Sequence, residues 1–175
     1  RLALDAHMGN DGAAYGHCWD ADVATRVLKS LEDFELVFFE EPLHYNDKRG
    51  YSQLCAATSV PVAGGECLTT VQEFADYAEL SALDIAQPDA AYIGIGPFVD
   101  VGALFAARGQ KVATHAWSAG VGVMQNIHAA FACPNTTILE IAPLAGPLHT
   151  ELWADGFRFH DGYILPPQAP GLGVR

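Results

Sequence analysis

Short apolar runs that end in an acidic residue or a histidine recur along the chain. Most of these runs are followed by a segment in which apolar residues repeat at the three- and four-residue spacing of an amphipathic helix. The apolar runs are RLALD, LVFFEE, VPVAGGE, LDIAQPD, KVATH and TTILE. This alternation predicts six β-strands with about five helices between them.

The predicted helices carry recognisable end signals. Thr69 or Thr70 can cap the segment TVQEFADYAEL, and Glu73 stands where a capping box needs an acid. A glycine ends the segment GPFVDVGALFAARG, which is a common way for a helix to stop. The other helical segments are DADVATRVLKSLED, YSQLCAAT and GVGVMQNIHAAFAC.

Nearly continuous apolar strands that alternate with helices are typical of parallel strands buried on both faces. We therefore predict an α/β fold of the (β/α) TIM-barrel type, in which active residues lie at the carboxyl ends of the strands. An open doubly wound sheet is an alternative on the pattern alone, and its ligands also gather at strand ends.

The ionisable residues that end the six runs are spaced by about one βα unit. Successive members are 23 to 35 residues apart, and a βα unit takes about 30 residues. They should therefore occupy equivalent positions on successive strands and converge at one mouth. They are Asp5, Glu40, Glu66, Asp89, His115 and Glu140. Any one of them alone could be a polar strand end facing water, but five carboxylates at one mouth repel unless they are metal-bound, protonated or ion-paired.

Composition excludes some partners. The chain has 175 residues, half of them hydrophobic, and a formal net charge of −12. Only nine residues are Lys or Arg, which argues against nucleic acid or an anionic membrane surface as a partner. No apolar run approaches the roughly 20 residues that span a bilayer. These features predict a soluble globular protein.

The four cysteines, Cys18, Cys55, Cys67 and Cys133, show no C-x-x-C spacing. We expect them to be reduced thiols in a cytoplasmic protein, since small secreted domains held by disulfides carry cysteines at a higher density. The first residue is Arg rather than Met, and no signal-peptide pattern precedes the first run. We therefore expect this sequence to begin inside a longer polypeptide.

The motifs LALDAH, FFEEP, GGE, QPD, THAW and ILE, in this order and at these intervals, resemble the mandelate racemase and muconate lactonizing enzyme branch of the enolase superfamily. The ending DGYILPPQAPGLGV also resembles that family's C-terminal segment. The specificity lies in the ordered set, because EEP or GGE alone is weak. The resemblance implies that residues 1–145 are strands three to eight of the family's barrel. Residues 146–175 would pack back on the barrel and on an N-terminal capping domain.

The resemblance implies a Mg²⁺ site formed by Asp5, Glu40 and Glu66. Mg²⁺ prefers oxygen ligands, and the absence of His and Cys from this set favours a hard ion over zinc. Glu41 follows Glu40 on the predicted strand, so we expect its side chain to point away, behind the ligands or toward the helices.

The resemblance also implies that Asp89 and His115 form the family's catalytic dyad. The imidazole would act on the proton alpha to a substrate carboxylate, and the aspartate would fix its tautomer. Glu140 would lie across the site and hydrogen-bond the metal-stabilised enediolate. A satisfied core histidine is the alternative for His115.

His7 favours one reaction among those of the superfamily. It lies two residues after Asp5, on the same strand face, and some sugar-acid dehydratases of the family carry a histidine there to protonate the leaving hydroxyl. We therefore predict an acid-sugar dehydratase that acts as a homo-oligomer when intact. The alternatives are a racemase or epimerase, a cycloisomerase, or a protein of another class, an inactive metal- or partner-binding barrel fragment.

One departure from the family is clear. The family's K-x-K motif, on the strand before the first metal aspartate, has no counterpart, because Lys29, Lys48 and Lys111 are far apart and none precedes Asp5. Six strands also cannot close a barrel that needs eight. We therefore expect this chain to be the C-terminal part of a longer protein.

Overall fold

A parallel sheet organises the chain. The computed structural model describes residues 2–9, 18–142, 146–152 and 158–174. Within these ranges six strands form one curled sheet, and each strand pairs in parallel with the next along the sequence. The strands are β1 (Leu4–Asp5), β2 (Phe39–Glu40), β3 (Val62–Gly64), β4 (Ile85–Ala86), β5 (Lys111–Thr114) and β6 (Thr136–Leu139). The predicted partial (β/α) barrel is confirmed.

The five predicted helices are confirmed, with shifted ends. They are α1 (Ala21–Ser30), α2 (Lys48–Ala57), α3 (Val71–Glu79), α5 (Ile95–Ala106) and α6 (Val121–Ala132). The described residues also include a short helix α4 (Ala90–Ile93), a 3₁₀ turn (Glu32–Phe34) and a helix α7 (Pro147–Thr150). An antiparallel hairpin of β7 (Phe159–His160) and β8 (Tyr163–Ile164) follows them. None of the helices in the described ranges combines the length and apolar character needed to cross a bilayer.

The start of α3 shows how the sequence encodes a helix end. Thr70 is the N-cap, and its hydroxyl accepts the N–H of Glu73 at 3.2 Å. The carboxylate of Glu73 in turn accepts the N–H of Thr69 at 3.0 Å. The first bond satisfies a donor that the first helical turn leaves free, and the second satisfies the N–H of the residue before the N-cap, in a variant of the predicted capping box.

The central strands β3 and β4 are buried, as their apolar residues predict, whereas the outer strands β1 and β6 are half-buried or exposed. Large side chains from the helices fill the outer side, and each contributes about 1.5–3 kcal/mol when fully buried. Fully buried examples are Leu28, Leu54, Phe74, Phe98 and Phe105. A smaller cluster on the other strand face consists of Phe38, Ala63, Ile85 and Ala113.

The C-terminal segment packs against α6. Val123, Met124 and Ile127 of this helix form an apolar cluster. The partners from the end of the chain are Leu152, Ile164, Leu172 and Val174. Apolar contacts therefore hold residues 146–152 and 158–174 to the last βα unit, while the boundary at residues 145 and 146 stays a prediction.

Candidate active site

The six strand-end residues lie at one edge of the sheet, because parallel strands in sequential order present their carboxyl ends together. Asp5 and Glu40 are the last residues of β1 and β2, and they pair directly in the register of the two strands. The remaining four follow the next strands closely and are Glu66, Asp89, His115 and Glu140.

His115 and Asp89 form a buried pair. The Nδ1 atom of His115 lies 2.9 Å from Oδ2 of Asp89, whose side chain is fully buried. The other carboxylate oxygen, Oδ1, accepts the N–H of Ala91 at 2.7 Å and the amide of Asn126 at 2.6 Å. Because Asp89 is the acceptor, Nδ1 carries the proton in the neutral ring and Nε2 keeps its lone pair.

The free ring nitrogen of His115 faces an acid. Its Nε2 atom lies 3.6 Å from Oε2 of Glu66. Burial lowers the pKa of His115, but the hydrogen bond to Asp89 and the charges of Glu66 and Glu140 outweigh it, so the pKa is raised overall. Gly65, with φ +115°, turns the chain after β3 and places Glu66 at this point.

Glu140 is held beside the histidine. Its Oε2 atom accepts the N–H of Ala116, the residue after His115, at 2.7 Å. Its own N–H donates to the hydroxyl of Thr114 at 3.1 Å. The last two strands therefore fix this carboxylate next to the imidazole.

His7 was expected to share a strand face with Asp5, but β1 ends at Asp5 and the chain has left the extended conformation at His7. Its φ is +53°, and its N–H donates to Oδ1 of Asp5 at 2.6 Å. Its Nδ1 atom lies 3.4 Å from Asp5 and 3.7 Å from Glu41. The side chains of Asp5 and His7 are 43% and 44% exposed, so the pair is accessible to a ligand.

Glu40 faces a cavity on the inner side of the sheet. Asp5, Gln87, Thr114 and Glu140 line the same cavity. Burial is the main cause that raises the pKa of Glu40 to about 7. A hydrogen bond from Gln87 opposes this rise, and the charges of neighbouring acids, with Asp5 the largest, add to it.

Glu41 was expected to lie either behind the metal ligands or toward the helices, and the structure places it beside Asp5 and Glu66. Its φ of +41° interrupts the alternation of a strand, so its side chain is not simply turned outward. The carboxylate is 1% exposed and accepts the N–H of Gly9 at 3.3 Å. A Cβ at residue 9 would collide with this carboxylate, so a larger residue there would require the Glu41 side chain to move.

Two groups of potential metal ligands occur among the described residues. Within each group, the ligand atoms all lie within 4.8 Å of one another. One contains Asp5, His7 and Glu41, and the other contains Glu41, Glu66 and Cys67. Glu40 belongs to neither group. The structure therefore assembles a wider cluster of acids than the sequence predicts, and the ligand set Asp5, Glu40 and Glu66 stays a prediction.

The cluster suits a hard divalent cation. Burial, together with the charges of Glu66 and Asp5, raises the pKa of Glu41 to about 8. Burial also raises the pKa of Glu66, although His115 and His7 act in the opposite direction. Buried carboxylates that repel one another bind protons or a cation, and their oxygen atoms are the donors that Mg²⁺ prefers.

Sequence reasoning missed two residues of this site. Asn126, fully buried in α6, contacts Asp89, and a polar residue in a mainly apolar helical segment was its only signal. The ring of Tyr92 in α4 lies 6.1 Å from that of His115, yet the side chain is 58% exposed. Trp117, two residues after His115, is also exposed at 63%.

A family model described as enolase C-terminal domain-like matches residues 1–175. The chain belongs to this enolase family. The L-talarate/galactarate dehydratase of Salmonella typhimurium is 34% identical over 156 residues, which cover 89% of this chain and 37% of that protein. The 3,6-anhydro-alpha-L-galactonate cycloisomerase of Streptomyces coelicolor is 30% identical over 174 residues, covering 99% of this chain and 44% of that protein.

A solved structure of the same enolase family superposes closely. It is the L-talarate dehydratase of Polaromonas sp. JS666 complexed with Mg and L-glucarate, at a TM-score of 0.81 and 30% identity. The match covers 99% of this chain and 44% of that chain. This chain thus spans less than half the length of these relatives.

Proposed function

We propose that the full-length protein is a Mg²⁺-dependent sugar-acid dehydratase and that this chain carries its proton-transfer groups. The position of His115 carries the proposal. Its Nδ1 atom is 2.9 Å from the buried Asp89, and its Nε2 atom is 3.6 Å from Glu66 in the acid cluster. A general base is thereby oriented toward the place where a cation would hold a substrate carboxylate.

We assign Asp5, Glu40 and Glu66 as the Mg²⁺ ligands. Glu40 pairs in register with Asp5 and lines the same inner cavity, which favours it over Glu41. The carboxylate of Glu41 is engaged by the N–H of Gly9. Its charge would still strengthen the site, because it lies close to Asp5 and Glu66.

In the first step, Nε2 of His115 takes the proton from the carbon next to the substrate carboxylate, and the C–H electron pair moves onto the carboxylate oxygens. Asp89 keeps the ring oriented through the Nδ1–H bond. We assign Glu140, fixed beside His115, as the group that hydrogen-bonds the enediolate across the site. A bound Mg²⁺ would supply the positive charge that stabilises the enediolate.

In the second step, the electron pair returns and breaks the C–O bond at the beta carbon. We assign His7 as the acid that gives its proton to the leaving hydroxyl, so that water departs and the resulting enol becomes a 2-keto acid. The charges of His7 and His115 both lower the pKa of Glu66, which supports the placement of both rings near this acid. The dehydratases among the relatives support this reaction class.

The test uses the full-length protein, Mg²⁺ and a panel of aldonic and aldaric acids in D₂O. We expect a 2-keto acid product from at least one substrate. His7→Asn should lower dehydration by roughly 10²-fold or more, while exchange of the alpha proton for deuterium persists. His160→Asn, in the exposed hairpin, is the matched control and should change neither rate. Unchanged dehydration in His7→Asn would refute its assigned role.

A second reaction of the same family is supported by the cycloisomerase among the relatives. It predicts alpha exchange and a product that is an isomer of the substrate, formed without loss of water. Exchange with inversion at the alpha carbon would instead indicate a racemase or epimerase. A protein that binds Mg²⁺ but produces neither exchange nor product would be an inactive metal- or partner-binding barrel.

The compartment and assembly of the full-length protein are also proposals. The cysteines in the described ranges, Cys18, Cys55, Cys67 and Cys133, are all free of disulfides, which agrees with a cytoplasmic protein. A homo-oligomer stays a prediction that light scattering on the full-length protein can test.

A further inference from the structure

The carboxylate of Asp89 divides its two oxygens between two tasks. Oδ2 faces Nδ1 of His115 at 2.9 Å. Oδ1 accepts the N–H of Ala91 at 2.7 Å and Nδ2 of Asn126 at 2.6 Å. The rotation of this carboxylate therefore depends on the donors that bind Oδ1.

Asn126 is itself held rigidly. Its Oδ1 atom accepts the N–H of Ala90 at 2.7 Å, and its Nδ2 atom also reaches the carbonyl of Gly122 at 3.2 Å. The side chain is fully buried in α6, so no water competes for these bonds. The amide thus ties α6 to the first turn of α4, where Asp89 is the N-cap.

We propose that Asn126 is a positioning residue for proton abstraction, acting through Asp89 on His115. This inference rests on the proposed function. The amide N–H of Asn126 fixes Oδ1 of Asp89, which leaves Oδ2 directed at Nδ1 of His115. The imidazole is thereby kept in the tautomer that leaves Nε2 free to take a proton.

The role predicts a specific kinetic result in the full-length protein. Asn126→Ala should lower kcat by about 10- to 100-fold, the usual effect of removing a group that orients a ligating or catalytic side chain. KM and Mg²⁺ affinity should stay within about threefold, since Asn126 contacts neither the substrate site nor the acid cluster. Ile127→Ala removes a fully buried neighbour in the same helix and is the control for lost packing.

Asn126→Asp separates orientation from simple helix packing. It keeps the shape and the acceptor for the N–H of Ala90, but it replaces the donor to Asp89 with a carboxylate oxygen. We expect kcat to fall at least as far as in Asn126→Ala. Activity near the wild-type level in Asn126→Asp would overturn the proposal, because the donor to Asp89 is lost there, together with the longer bond to the carbonyl of Gly122.

A second readout does not depend on turnover. In protein labelled with ¹⁵N-histidine, the Nδ1–H resonance of His115, assigned with His115→Asn, should shift or disappear in Asn126→Asp and persist in Ile127→Ala. An unchanged resonance in Asn126→Asp would overturn the inference. If the wild-type protein acts on no sugar acid, the proposed function fails, whereas this spectrum still decides whether Asn126 orients the pair.

Discussion

The Nε2 atom of His115 lies 3.6 Å from Oε2 of Glu66, on the side of the imidazole opposite to its bond with Asp89. One ring nitrogen is therefore anchored to a buried acid, while the other faces the cluster of carboxylates. A substrate carboxylate held at that cluster would bring its alpha proton toward Nε2. This relationship couples the proposed cation site to the proposed base.

The stability of the protein should depend on pH and Mg²⁺ together. Folding raises the pKa of Glu40 to about 7 and that of Glu41 to about 8, both from 4.5. The folded state thus binds protons more tightly than the unfolded chain, so without metal the stability should fall as pH rises from about 4.5 through about 8. Mg²⁺ should reduce this fall because it replaces the protons as the neutralising charge.

The measurement is the thermal midpoint as a function of pH with and without saturating Mg²⁺. A loss of 1 kcal/mol lowers the midpoint by about 2–4 °C for a chain of this size. Glu66→Gln should shrink the effect of Mg²⁺. If the thermal midpoint near pH 8 is the same with and without Mg²⁺, this result would contradict a cation site in this cluster.

Glu40 and Glu41 should differ in their effect on metal binding. Each Glu→Gln change removes one charge with little change in shape. Glu40→Gln should weaken Mg²⁺ binding by at least about tenfold. Even the mutation of a residue that only hydrogen-bonds a metal ligand typically lowers metal affinity by about 10- to 100-fold. Glu41→Gln should weaken it less, because this carboxylate bonds Gly9. Calorimetric titration with Mg²⁺ measures the two affinities. A larger loss of affinity in Glu41→Gln than in Glu40→Gln would indicate that Glu41 is the ligand.

Tyr92 should contribute to substrate binding through its ring. The ring lies 6.1 Å from that of His115, with 58% of the side chain exposed at the mouth. Tyr92→Ala should raise KM by about 3- to 10-fold, in line with the roughly 0.5–1.5 kcal/mol that an aromatic contact adds. Tyr92→Phe should stay near wild type.

Phe131→Ala is the matched control for Tyr92→Ala. Phe131 is similarly exposed, at 50%, and lies near the C-terminal end of α6. Steady-state kinetics with the best substrate gives the comparison. Equal effects of the two alanine variants would mean that Tyr92 has no special place at the site.

The fold could be predicted because its signals are local. Apolar runs specify strands buried on both faces, and the capping box at Thr70 and Glu73 specifies where α3 begins. The shared edge of the strand ends follows from parallel topology, which brings Asp89 and His115 into contact.

The details of the site could not be predicted in the same way. The left-handed φ at Glu41 depends on how the chain leaves β2, and strand alternation gives the wrong direction there. Asn126 is 37 residues from Asp89 in sequence. Their contact arises from the packing of α6 on α4, which the sequence pattern does not encode residue by residue.

The most direct test of the central claim is alpha-proton exchange catalysed by His115. The full-length protein with Mg²⁺ and its best sugar acid in D₂O is compared with His115→Asn by NMR. We expect exchange to fall by roughly 10² to 10⁴-fold, while Mg²⁺ binding stays intact and His160→Asn behaves like the wild type. Exchange at the wild-type rate in His115→Asn would contradict the account.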